Sequence, residues 1–168
     1  MIRLSKAAVG LLAVSALASI SMERAAAQTL GPTKPSELVT VRVESTFCSA
    51  GFAGAKRVDA EVRSDGTLRT FRVAKGFVLV VTNVQFTLNS SGTSRNIQMR
   101  FGVPCGSGCM RSLVDAQVLT DNDGNGNASV FLGNGIAIKR GTEICVADAD
   151  FPNSHAFATI HGYLAPDE

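Results

Sequence analysis

The chain has 168 residues and a formal net charge of +2, from 16 basic and 14 acidic side chains. Residues 1–27 hold three of the basic residues and one of the acids, so the remaining 141 residues (168 less 27) carry 13 charges of each sign. That length suits one domain with its own core. A neutral chain also lacks the positive charge that binding to nucleic acid or to anionic membranes requires.

The N-terminal residues have the pattern of a secretory signal peptide. Arg3 and Lys6 precede an uncharged apolar run at 7–20, and three alanines at 25–27 form a signal-peptidase site. The apolar run of 14 residues is shorter than the roughly 20 that a membrane-spanning helix needs. We therefore predict a signal peptide at residues 1–27, export to the periplasm or the extracellular space of a bacterium, and no stable membrane anchor.

The rest of the chain is predicted to be β-strand. Residues 28–37 form a polar lead-in with two prolines, and short apolar or alternating segments follow, separated by turns rich in Gly, Asn, Asp and Ser. This spacing predicts a single domain at 38–168, an antiparallel β-sandwich of the jelly-roll type, with an immunoglobulin-like sandwich as the alternative. The predicted strands are 38–46, 56–63, 68–74, 77–88, 95–103, 113–119, 128–132, 135–138, 142–148 and 155–164.

Two segments share a sequence pattern. FRVAKGFVLVV at 71–81 and IAIKRGTEICV at 136–146 both have alternating apolar residues, then a basic residue and a glycine, then a second apolar stretch. Each is predicted to be a β-hairpin whose glycine supplies the positive φ of a tight turn. The repeat favours the jelly roll, in which such turns are common.

The four cysteines agree with export, because disulfides persist in oxidising compartments. Three pairings are open. We favour Cys105 with Cys109, since the Gly-Ser-Gly between them is flexible, which leaves Cys48 to pair with Cys145. A zinc site is the weaker interpretation, because neither histidine lies near the one close pair of cysteines.

The stretch TDNDGNGNAS at 120–129 resembles the first half of a calcium-binding loop. Asp121, Asp123 and Asn125 occupy its first, third and fifth positions, but the twelfth position is Leu132 and not the bidentate glutamate. A turn alone also accounts for these residues, because Asp, Asn and Gly are the usual turn formers, and we prefer that interpretation. Any calcium site would need further ligands, for which the candidates are Asp148 and Asp150.

No catalytic set stands out. His155 and His161 are predicted on one strand, on the same face and about 20 Å apart, so they cannot share a metal ion. The acidic residues suggest no facing pair of the kind that a glycosidase uses. With no Trp and one Tyr, the chain has few side chains for sugar stacking. Three of its phenylalanines are predicted to be in the core, namely Phe71, Phe86 and Phe131.

We therefore predict an exported, non-catalytic β-sandwich protein that acts in binding or assembly. Its ligand is an unknown extracellular or periplasmic molecule and not a nucleic acid, and a homo-oligomer is one form that assembly would take. We expect no cofactor, unless the acidic turn binds calcium. The alternatives are a small secreted hydrolase and a calcium-dependent ligand-binding module.

Overall fold

The computed structural model describes Pro32 and residues 37–49, 54–89, 95–148 and 155–167. The predicted signal peptide lies outside these ranges. Within them the chain forms nine β-strands, and no helix is long and apolar enough to cross a membrane. The strands are β1 (Leu38–Phe47), β2 (Lys56–Val62), β3 (Leu68–Thr70), β4 (Phe77–Asn89), β5 (Asn96–Gly106), β6 (Cys109–Leu119), β7 (Asn125–Lys139), β8 (Cys145–Asp148) and β9 (His155–Pro166).

The strands form one antiparallel sheet that curls into a nearly closed barrel, which confirms the all-β prediction. The order is β6-β5-β8-β2-β1-β9-β4-β7, with short β3 also pairing with β2. Pairing is nested: β1 pairs with β9, β2 with β8, β4 with β7, and β5 with β6. The chain thus folds back on itself as one long hairpin, and the β1–β2, β4–β9 and β5–β8 pairs roll it up.

Alternate side chains of the strands fill the interior. Phe71 and Phe86 are buried, but Phe131 is 82 % exposed, so its predicted core position is wrong. Its neighbours Val130 and Leu132 pack against the core cluster. Because successive side chains of a strand point to opposite faces, Phe131 must face water.

Strand β7 combines two predicted strands, 128–132 and 135–138. Phe131 pairs with Asn83, and Ile136 pairs with Val81. Between these two pairs β7 has four residues and β4 has only one. Gly135 adopts a φ of 70° within this insertion. The predicted turn at this point is therefore wrong: the glycine supplies a backbone conformation that lets the strand bulge and continue.

Two disulfides link the strands, Cys48–Cys145 and Cys105–Cys109, and no cysteine is free. This is the pairing that the sequence favours. The first joins the region after β1 to the start of β8, within a small apolar cluster that includes Ala55. The second closes the turn between β5 and β6. Both bonds are compatible with an exported protein in an oxidising compartment.

Removing the long-range disulfide is expected to cost more stability than removing the local one. In the chain-entropy account, the separations of 97 and 4 residues correspond to about 4–5 and about 2 kcal/mol. Urea unfolding of C48A/C145A and of C105A/C109A, each against the wild type, measures the two costs. An equal loss in both variants, or a larger loss in the second, would contradict this expectation.

Candidate functional site

Two related turns lie next to each other at one end of the barrel. Turn 74–77 and turn 139–142 are each closed by a hydrogen bond from the fourth amide to the first carbonyl, at 3.2 and 3.1 Å. Gly76 and Gly141 stand third in their turns, both with a φ of 79°, and among the described residues only glycines have a positive φ. These features define type II turns. They are adjacent because the start of β4 pairs with the end of β7.

The predicted hairpins at 71–81 and 136–146 are wrong. Strand β4 pairs with β7 and β9, and β8 pairs with β2 and β5, so neither turn joins two strands that pair with each other. Type II turns splay the strands that flank them, whereas hairpins favour turns that match the strand twist. Both turns instead carry the chain between different parts of the barrel. As a result, Lys75 and Arg140, second in their turns, are exposed at the same end.

A groove with a volume of about 640 Å³ lies between these turns and β2. Three segments line it: 57–59 from β2, 70–75 from the end of β3 and the first turn, and 140–144 from the second turn and the residues after it. Phe71 and Val73 contribute apolar surface. The volume is within the range of sites for small molecules.

Arg57 contacts both carboxylates that line the groove. Its Nη2 lies 2.6 Å from Oε1 of Glu143, and its Nε donates to the same oxygen at 2.7 Å. Its Nη1 lies 3.9 Å from Oδ2 of Asp59. The guanidinium therefore neutralises much of the negative charge inside the groove.

Glu143 is held as an anion. Its side chain is 15 % exposed, and this burial raises its pKa. Hydrogen bonds from the amide and hydroxyl of Ser49 and from Arg57 outweigh burial, so the pKa of Glu143 lies below its ordinary value. A carboxyl with a lowered pKa gives up its proton too readily to be a good general acid near neutral pH.

Asp59 has an oxygen without a partner. Its Oδ1 is buried and accepts no hydrogen bond within the described part of the chain. Leaving a buried acceptor unpaired costs about 1–3 kcal/mol. This oxygen is closed to the groove, whereas the side chain as a whole is 19 % exposed, so Oδ2 is the oxygen of Asp59 that a molecule bound in the groove can reach.

Three cations of the groove are not neutralised. Arg72, Lys75 and Arg140 are exposed, and none forms an ion pair with another described residue. Glu143 and Asp59 contact Arg57, and the four cations and two carboxylates of the lining leave a net charge of +2. The groove therefore carries a surplus of positive charge in a chain that is otherwise nearly neutral.

The acidic turn of the sequence lies at the opposite end of the barrel. Asn125 pairs with Asn89 of β4, whereas Lys139, beside the groove, pairs with Val78 of β4. Val78 and Asn89 are eleven residues apart on the same strand, which corresponds to roughly 35–40 Å. Oδ1 of Asp121 accepts the amides of Asp123 and Asn125 at 3.0 and 2.8 Å. One carboxylate oxygen of Asp121 is thus already bound to the backbone.

A second turn in the same chain has the same backbone hydrogen bonds. In both turns the amide of the first residue donates to the carbonyl of the fifth, and the amide of the fourth donates to the carbonyl of the first. The two N–O distances are 2.8 and 3.1 Å in turn 121–125, and both are 2.9 Å in turn 63–67. Gly66 and Gly124 each have a φ of 80°. The sequences RSDGT and DNDGN therefore fold alike, and the turn geometry accounts for the pattern of Asp, Asn and Gly without an ion.

The other proposed calcium ligands are not brought to this turn. Asp148 is buried in β8 and pairs with Met99 of β5, whereas the turn follows β6 on the other side of β5, about 10 Å across the sheet. Asp150 lies outside the described residues. The calcium site stays a prediction, with turn formation as the preferred role.

Millimolar calcium is expected to leave the melting temperature unchanged, relative to a chelator. A bound ion would instead stabilise the fold by about 2.7 kcal/mol at a hundredfold excess over its dissociation constant. The variant D123N and its counterpart D65N in turn 63–67 test the origin of any shift. A rise of several degrees that is lost in D123N and kept in D65N would establish a calcium site.

Two further groups with metal-ligand chemistry have ordinary structural roles. Cys48, Glu143 and Cys145 have donor atoms within 4.8 Å of one another, but both sulfurs are in the disulfide and neither is a thiolate. His161 lies on β9 with its Nδ1 3.1 Å from Oγ1 of Thr40. Neither group adds a catalytic centre to the described part of the chain.

No protein-family model, curated protein or solved structure matches this chain. The groove is therefore characterised by its own geometry. None of its residues is predicted as a site from the sequence. The signal that could have found them is the repeated pattern at 71–81 and 136–146, which places a basic residue before the glycine of each turn.

Proposed function

We propose that the protein is exported and non-catalytic, and that it acts by binding a ligand in the groove between its two type II turns. The observation that carries this proposal is the contact of Arg57 with both carboxylates of the groove. Export is supported by the N-terminal sequence pattern and is compatible with the two disulfides.

For the architecture we propose a jelly roll. If short β3 is set aside, the nested pairs β1–β9, β2–β8, β4–β7 and β5–β6 are those of a rolled-up hairpin of eight strands. An immunoglobulin-like sandwich has a different strand order, with its first strand beside the second and not beside the last. The pairing of β1 with β9 therefore favours the jelly roll.

The hydrolase alternative is less well supported. A glycosidase keeps one carboxyl protonated through a raised pKa, while a second carboxylate acts as base or nucleophile. Hydrogen bonding lowers the pKa of Glu143 instead, and Arg57 lies within 4 Å of Asp59. Calcium-dependent binding has less support as well, because the backbone of the acidic turn already uses Asp121.

A panel of soluble compounds tests the proposal on the mature protein, residues 28–168. Neutral and acidic saccharides, amino acids, short peptides and nucleotides are each added in thermal melts, and each is assayed for turnover. At least one class should raise the melting temperature without being consumed. The rise should be lost in T142W, which places a large side chain in the groove, and kept in T87W, a position on β4 that is also exposed but lies outside the groove lining.

Three results would overturn the proposal. One is that no class raises the melting temperature, and another is that the rise persists in T142W. The third is turnover that disappears in D59N or E143Q, which would favour the hydrolase.

A further inference from the structure

We infer that the ligand of the groove is an acidic saccharide, whose carboxylate or sulfate groups face Arg72, Lys75 and Arg140 and one of whose hydroxyls donates to Asp59. This inference rests on the proposed function, because it names the class of molecule that the same groove takes.

The charge of the groove calls for an anion. Three cations line it without an ion-pair partner in the described ranges, while Arg57 is occupied by the two carboxylates. Two of the three, Lys75 and Arg140, belong to different turns that the β4–β7 pairing brings together. An anionic ligand that contacts both turns gains charge-assisted hydrogen bonds, which are about twice as strong as neutral ones.

The exposed oxygen of Asp59, Oδ2, is 3.9 Å from Arg57 Nη1 and can accept a hydrogen bond from a donor on the same ligand. A simple anion such as sulfate offers only acceptors, and its charge would be repelled by this carboxylate. A saccharide with acidic groups carries hydroxyl donors beside them, so one molecule can donate to Asp59 Oδ2 and contact the cations as well.

The size and lining of the groove also fit a ring-containing ligand. A volume of about 640 Å³ is far more than one inorganic ion fills. Phe71 and Val73 add apolar surface between polar side chains, and a sugar ring presents both an apolar C–H face and polar edges. No stacking aromatic is required for this mode of binding, which agrees with the absence of Trp from the chain.

A second copy of the chain is the competing occupant. Its acidic turn, with Asp121 and Asp123, could approach the cationic groove of a neighbour, since the two features lie at opposite ends of the barrel. We favour the saccharide because Oδ1 of Asp121 already accepts two backbone amides, and because a carboxylate cannot donate a hydrogen bond to Asp59.

Calorimetric titration of the mature protein with defined probes tests the inference. The probes are an oligogalacturonate, which carries carboxylates, a heparin-derived oligosaccharide, which carries sulfates, a neutral maltooligosaccharide of equal length, and inorganic sulfate. At least one acidic oligosaccharide should bind ten times more tightly than the neutral one and than inorganic sulfate. Its affinity should fall as salt rises from about 50 to about 300 mM, because salt screens exposed charges.

Two triple variants with the same change of charge identify the site. R72Q/K75Q/R140Q should weaken binding of that oligosaccharide at least tenfold. R42Q/R63Q/R111Q, which removes three exposed cations outside the groove lining, should change it less than twofold. Melting curves of both triple variants establish whether they are folded. If R72Q/K75Q/R140Q is not folded, the single variant R140Q takes its place, and it should weaken binding to a smaller extent.

Equal weakening in both triple variants, or equal binding of the neutral oligosaccharide or of inorganic sulfate, would overturn the inference. If no acidic saccharide binds but another class stabilises the protein in a manner that T142W abolishes, the inference falls and the proposed function stands. If no class of compound stabilises the protein, both the inference and the proposed function are wrong. Self-association in sedimentation that is reduced by D123N and by R72Q/K75Q/R140Q would assign the groove to a second copy instead.

Discussion

The groove depends on the ion pair between Arg57 and Glu143. Arg57 belongs to β2 and Glu143 to the segment that leads from the second type II turn into β8, so the pair fastens that segment to the barrel. Ser49 donates to the same carboxylate from the region after β1, next to the disulfide between Cys48 and Cys145. A partly buried carboxylate with these partners is stable only while they remain, because removing one leaves a desolvated charge behind.

Arg57 also raises the positive charge that the groove presents. Without Arg57 the groove would hold three cations against two carboxylates, a net charge of +1. With Arg57 the net charge is +2, and Arg72, Lys75 and Arg140 have no ion-pair partner among the described residues. The nested strand pairing completes the arrangement, since it sets the two basic turns side by side and puts the acidic turn at the far end of β4 and β7. Charge separation of this kind favours recognition of an anion at one end.

Much of the fold could be predicted from local sequence. Alternating apolar residues and turn formers predict strands, and the short spacing of Cys105 and Cys109 favours their pairing. Local rules failed where the answer depends on distant strands. The pattern VFL in β7 does not reveal that Phe131 faces water, because that depends on which neighbours face the core. The repeated segments predict turns correctly. The strands on either side of each turn do not pair with each other, however, so these turns do not form hairpins.

The groove itself could not be predicted for the same reason. Its three segments are separated by up to about 80 residues and meet only when the sheet rolls up. The sequence alone reveals only the basic residue that precedes each turn glycine. The role of Arg57 had no local signal at all, since its partner Glu143 lies 86 residues further along the chain.

The most direct test is the titration of the Glu143 side-chain carboxyl by carbon NMR, in the wild type and in R57Q. The wild-type pKa should lie below the ordinary value for glutamate, because hydrogen bonds from Ser49 and Arg57 outweigh burial. A lowered pKa stabilises the fold above the unfolded pKa and loses that contribution as pH falls through the folded one. In R57Q the pKa should rise, since burial then meets less opposition. A wild-type pKa at or above the ordinary value would contradict the account and favour a catalytic groove.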